Sequence, residues 1–225
     1  MKRQVSMEEI SDGKKYGLDD LARADCQGCA GCSACCRGMG TSIVLDPLDV
    51  WRLKKERESD FDGLLKESLE LHMESGLILP NLRMNGPDER CAYLDKEGRC
   101  GIHGARPGIC RLFPMGRAYE NRTFYYFLQT HECKKKQRAK IRVRRLLEMD
   151  HLEEYEDFIK QWHYFLEDIG SAMKTLTDAS LVRTLNMYIL RQFYISPFDN
   201  GDFYQEVKAR INEARERLLS DNSEE

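Results

Sequence analysis

The sequence predicts an α+β fold, mostly α, in which an irregular, metal-stapled, cysteine-rich domain with short strands packs with a C-terminal helical bundle. Three observations lead there. All nine cysteines lie at or before Cys133, five of them in CQGCAGCSACC over residues 26–36. Between residues 77 and 130, short β-prone and aromatic pieces are interrupted by glycine and proline. Beyond Cys133, apolar residues recur at intervals of three and four, the period of a helix face.

Taken in order, the elements divide the chain into an N-terminal extension (1–19), a cysteine-cluster metal-binding domain (20–133), a C-terminal helical part (134–220) and a disordered tail (221–225). Asp46-Pro47, with Asp49 three residues after the cap, opens a short helix over about 47–58. Phe61, Leu64, Leu65, Leu69 and His72 fall on one face of a second helix ending near Gly76, with His72 packed at the edge of the core. LILPNLRMN, CAYLDKEGRCGIH with a turn at Asp95 to Gly98, and TFYYFLQT read as extended pieces. In GARPGICRLFPMGR, two prolines and three glycines leave little room for regular structure.

The helical part opens with KKKQRAKIRVRR over residues 134–145, eight basic side chains in twelve. Leu152, Tyr155, Ile159, Trp162, Leu166 and Ile169 then form an apolar seam, widened by Phe158 and Phe165. Leu181, Leu185, Tyr188, Ile189 and Gln192 continue in a second helix that stops around Pro197 to Gly201. Phe203, Val207, Ile211, Ala214 and Leu218 form a third.

At 225 residues, the chain is long enough to bury a core without covalent staples, so small size does not explain the crowded thiols. With 41% hydrophobic and 32% charged residues and a net charge of −3, it reads as an ordinary globular protein. The N-terminus lacks the apolar stretch of a signal peptide and no run is long enough to span a membrane, so a cytoplasmic location is expected. That compartment keeps thiols reduced, and an odd cysteine count rules out complete internal disulfide pairing. Walker, HExxH and Ser-His-Asp patterns are lacking, which removes support for ordinary hydrolases and nucleotide-triphosphate enzymes.

The CxxC step lets two thiolates point at one soft cation, and here it occurs three times in succession, from Cys26 to Cys35, before Cys36. Cys91, Cys100, Cys110 and Cys133 supply four more thiols. The count allows two tetracysteine sites and one spare, with zinc or iron, including an iron-sulfur cluster, as the cofactor. A thiol redox switch competes, because CxxC also supports disulfide exchange. His103, Arg106 and Arg111 stand beside the downstream thiols. The arginines can offset thiolate charge and donate to sulfur or to backbone carbonyls, and His103 fits a supporting role around the ligands.

CAGCSACCRGMG from Cys29, followed by CAYLDKEGRCGIHGARPGICRLFPMGR and Cys133, resembles the YkgJ-like cysteine-cluster family, also described as the CxxCxxCC zinc- or iron-chelating domain. The resemblance covers about residues 26–133. It implies Cys29, Cys32, Cys35, Cys36, Cys91, Cys100, Cys110 and Cys133 as metal ligands and leaves Cys26 as an extra thiol. Arg106, Pro107, Arg111 and Pro114 match the family's RP, CR and FP positions.

A metal-binding protein whose metal mainly organises the fold is the expected function. One alternative is an iron-sulfur enzyme or electron carrier in protein modification, since flagellin lysine methylases carry a related cysteine region. Another is a nucleic-acid-binding module using the basic run 134–145 with Tyr125, Tyr126 and Phe127 nearby. The negative overall charge and the following LEEYED stretch disfavour nucleic acid and suggest a solvated basic face paired with acids. Whether the protein is an enzyme, and which protein partner or substrate it meets, stays open. No membrane association is expected.

Overall fold

The computed structural model of the chain describes residues 6–27, 32–199 and 201–219. In chain order these form α1 (Met7–Ile10), β1 (Leu21–Asp25), α2 (Pro47–Arg57), α3 (Phe61–Glu67), β2 (Leu69–Glu74), β3 (Leu77–Leu82), β4 (Met84–Asn85) and β5 (Arg90–Cys91). There follow α4 (Gly108–Leu112), β6 (Met115–Glu120), β7 (Thr123–Leu128), β8 (Ala139–Arg142), α5 (Val143–Leu147), α6 (Leu152–Met173), α7 (Ala179–Leu190) and α8 (Phe203–Leu219). Helices and small two-stranded sheets share the chain, as the α+β class requires. The tail at 221–225 lies outside the described residues.

Two compact units divide the chain, Met1–Val44 with Leu82–Asp150, and Leu45–Asn81 with His151–Glu225. In the first, β6 and β7 pair from Met115↔Leu128 to Glu120↔Thr123, and β1 pairs with β8 through Leu21↔Arg142 and Ala22↔Ile141. Gly116 stands opposite Phe127, and a Cβ there would meet the phenyl ring at 2.6 Å, so only glycine leaves the ring its place. Alternation along β1 buries Ala22 and Ala24 and turns Arg23 outward. The register of β1 shifts between Ala22 and Asp25, a bulge-like irregularity beside that arginine.

The second unit holds a larger apolar core. The α6 seam buries Tyr155, Phe158, Ile159, Trp162, Phe165 and Ile169 as its period predicts. Trp162 packs against Phe193 with ring centroids 4.9 Å apart, and Phe158 meets Phe203 edge-on at 5.4 Å. α2 begins with a complete capping box: Asp49 N–H donates to the Asp46 carboxylate at 2.9 Å, and Asp46 N–H donates to that of Asp49 at 3.2 Å.

Two expectations are corrected. The apolar stripe from Phe61 does not continue as a helix to Gly76. α3 ends at Glu67, and Leu69–Glu74 pairs with β3 through a turn in which Ser75 and Gly76 both have positive φ. His72 is therefore exposed on a strand and does not pack at a core edge. Pairing with β3 satisfies backbone groups that the stripe, read alone, assigns to a helix. The glycine- and proline-rich GARPGICRLFPMGR does contain regular structure, with α4 fitted between Pro107 and Phe113.

Candidate metal centre

The downstream thiols are set by a small hairpin-like loop. Arg90–Cys91 pairs with Met84–Asn85, and Leu94 bridges Cys100 across a turn closed by Gly98 N–H donating to Asp95 O at 3.1 Å. Gly98 has φ 75°, a conformation glycine adopts freely. The chain around Cys35 and Cys36 meets the same structure. Arg37 bridges Arg90, Gly38 N–H donates to Glu89 O at 3.0 Å, and the Ser33 hydroxyl sits beside Gly98. Cys35 and Cys36 belong to a 3₁₀ turn, Ala34–Cys36.

Cys35, Cys91 and Cys100 are close enough to influence one another electrostatically. Burial pushes the Cys91 thiol above its ordinary value, opposed by a hydrogen bond from Tyr93 N–H. Burial also raises Cys100, opposed by Ile102 N–H and by the Arg106 guanidinium. In both cases an amide two residues on donates to sulfur, which favours the thiolate form a metal needs.

A second meeting involves Cys26, buried just beyond β1, whose Sγ lies 3.6 Å from that of Cys133. This is far beyond an S–S bond, and Cys26 and Cys133 are not joined in a disulfide. With Zn–S near 2.3 Å, two thiolates on one tetrahedral ion stand about 3.8 Å apart, close to the observed separation. Cys110 lies on α4, Cys32 just ahead of the 3₁₀ turn, and Cys29 outside the described residues.

The arginines form a knot. Arg111, 3% exposed, donates to Arg106 O at 2.9 Å, to Glu148 O at 3.0 Å and to Gly104 O. Arg106 pairs with the Glu148 carboxylate at 2.9 Å, while its buried Nε has no hydrogen-bond partner. Arg111 thus serves backbone carbonyls, and Arg106 places positive charge near Cys100. Partial desolvation and Arg106 pull the exposed His103 below its ordinary pKa, with Glu148 opposing, so its neutral form is favoured at neutral pH. Glu148, the partner of both arginines, carried no sequence signal. The tie between Cys26 and Cys133 had one, because Cys26 begins the CxxC series.

Among the described residues, no group of three or more His, Cys, Asp or Glu side chains stands in a metal-holding arrangement. The donor set fits a soft cation in its chemistry, in the spacing of the Cys26–Cys133 pair and in the N–H groups trained on Cys91 and Cys100. Fold and site together define a cysteine-cluster protein, built from short strand pairs that bring distant thiols side by side. The chain belongs to the CxxCxxCC family, described as "Putative zinc- or iron-chelating domain", which matches residues 26–140. Comparison with curated proteins and with solved structures found no match. No described helix is long and apolar enough to cross a membrane.

Proposed function

We propose that this is a metal-binding protein in which thiolate-held zinc or iron mainly organises the cysteine-rich unit. In this reading Cys26 and Cys133 share one ion, Cys35, Cys91 and Cys100 belong to another, and Cys29, Cys32, Cys36 and Cys110 complete the set. The Cys26–Cys133 approach of 3.6 Å carries the reading, because it matches two ligands of one ion and takes Cys26 into the set. A structural role follows from what else holds the loop. None of residues 32–42 is buried, so apolar packing contributes little there, and bound metal would supply folding free energy instead.

Anaerobic purification followed by metal analysis and a visible spectrum tests this. Zinc without a visible band supports the structural reading, whereas broad absorption near about 400 nm identifies an iron-sulfur centre able to carry electrons. Cys26→Ser and Cys133→Ser are each expected to lose the same share of bound metal. Full metal content in Cys26→Ser alone would remove Cys26 from the ligand set.

A further inference from the structure

The basic run at 134–145 divides into two halves with different surroundings. In the later half, Arg144 Nε pairs with Asp19 at 2.8 Å and Arg142 approaches the same carboxylate at 3.9 Å, so charge there is met by an acid. The earlier half is arranged otherwise. Lys136 and Arg138, with Arg23 from the outward face of β1, line an open cavity of about 380 Å³ completed by Gln27, Gln137 and Ala139. Among the described residues, no carboxylate lines it.

Among the described residues, none of these three cations is in ion-pair contact with a carboxylate. Arg138 Nη1 is shut off from solvent and has no hydrogen-bond partner. An N–H donor kept from water without an acceptor is costly, and like charges gathered around one space repel. A bound anion would relieve the repulsion among the three cations that line the space.

We propose that this cavity binds a phosphate-bearing ligand. The guanidinium forks of Arg23 and Arg138 match phosphate oxygens in geometry, Lys136 adds a compact charge, and the amides of Gln27 and Gln137 supply further donors. The volume falls in the range of small-molecule sites and exceeds the needs of a lone phosphate, which favours a diphosphate or a longer chain. That chemistry has two sources, a free phosphorylated metabolite or a nucleic-acid backbone. Aromatic stacking is not offered by Tyr126 or Phe127, both of which are buried. The inference does not rest on the metal reading.

The test uses the full metal-loaded chain, with inorganic pyrophosphate as the calorimetric probe and a short labelled RNA as competitor. Pyrophosphate should bind, and Arg138→Gln and Lys136→Gln should each weaken it about tenfold, with metal content and circular dichroism unchanged. Arg142→Gln, outside the cavity, should bind as the unaltered chain does. Mutual displacement of RNA and pyrophosphate, with equal sensitivity to Arg138→Gln, assigns the site to a nucleic-acid backbone. RNA that fails to displace pyrophosphate assigns it to a free phosphorylated molecule. Failure of pyrophosphate to bind, or binding unaltered in both cavity variants, overturns the proposal.

Discussion

Arg111 spends its guanidinium on three backbone carbonyls, those of Gly104, Arg106 and Glu148, which fixes the turn of chain that carries Cys110. Lysine keeps the charge but cannot reproduce the planar fork of this buried side chain, so part-buried carbonyls would lose their donors. Arg111→Lys is expected to lower stability by on the order of 3 kcal/mol in urea unfolding of the metal-loaded protein. A loss below about 1 kcal/mol would mean that water replaces the fork. The position of this arginine beside a thiol was legible in the sequence, as was its use for carbonyls. Its dependence on Glu148 was not, because the two residues are 37 positions apart.

At the scale of elements, Asn186 on α7 ties a helix to a hairpin. Its side-chain oxygen accepts from Ile78 N–H at 2.6 Å, and its amide donates to Gly76 O and Val182 O. Asn186→Leu keeps the branched shape but leaves the Ile78 N–H and Gly76 O without this partner. A loss of about 2 kcal/mol is expected, with hydrogen exchange accelerated first at Ile78. Local sequence read α2, α6 and α8 well, since a capping box and long apolar stripes act within one element. It failed where pairing with another segment decided the outcome. Leu69 is buried in β2 just as the helical stripe required, so the pattern alone could not separate strand from helix. The basic run likewise forms β8 by pairing with β1, a partner more than a hundred residues earlier.

For the whole molecule, the two compact units interleave along the chain, and only one of them carries cysteine. If metal organises that unit, a chelator should affect the two unequally. Hydrogen exchange after metal removal should rise across residues 32–44 and 82–142, while α6 and α8 keep their protection through their own apolar cores. Uniform loss across both units would argue for a single cooperative structure, and no change in either would argue against a structural metal. The thiol spacing announced the chemistry of the site. Which sulfurs meet depends on long-range pairing, and local spacing is silent on that.

Cys26 and Cys133 are 107 residues apart in the chain yet nearly in contact once folded. At a synthesis rate of ~5–20 residues per second, roughly 5 to 20 seconds separate their emergence from the ribosome. Throughout that interval the N-terminal thiols are already outside and Cys133 is still to come. Any ion that Cys26 and Cys133 share can therefore be closed in only after the later thiol has emerged, which makes its capture a late event in the making of the chain.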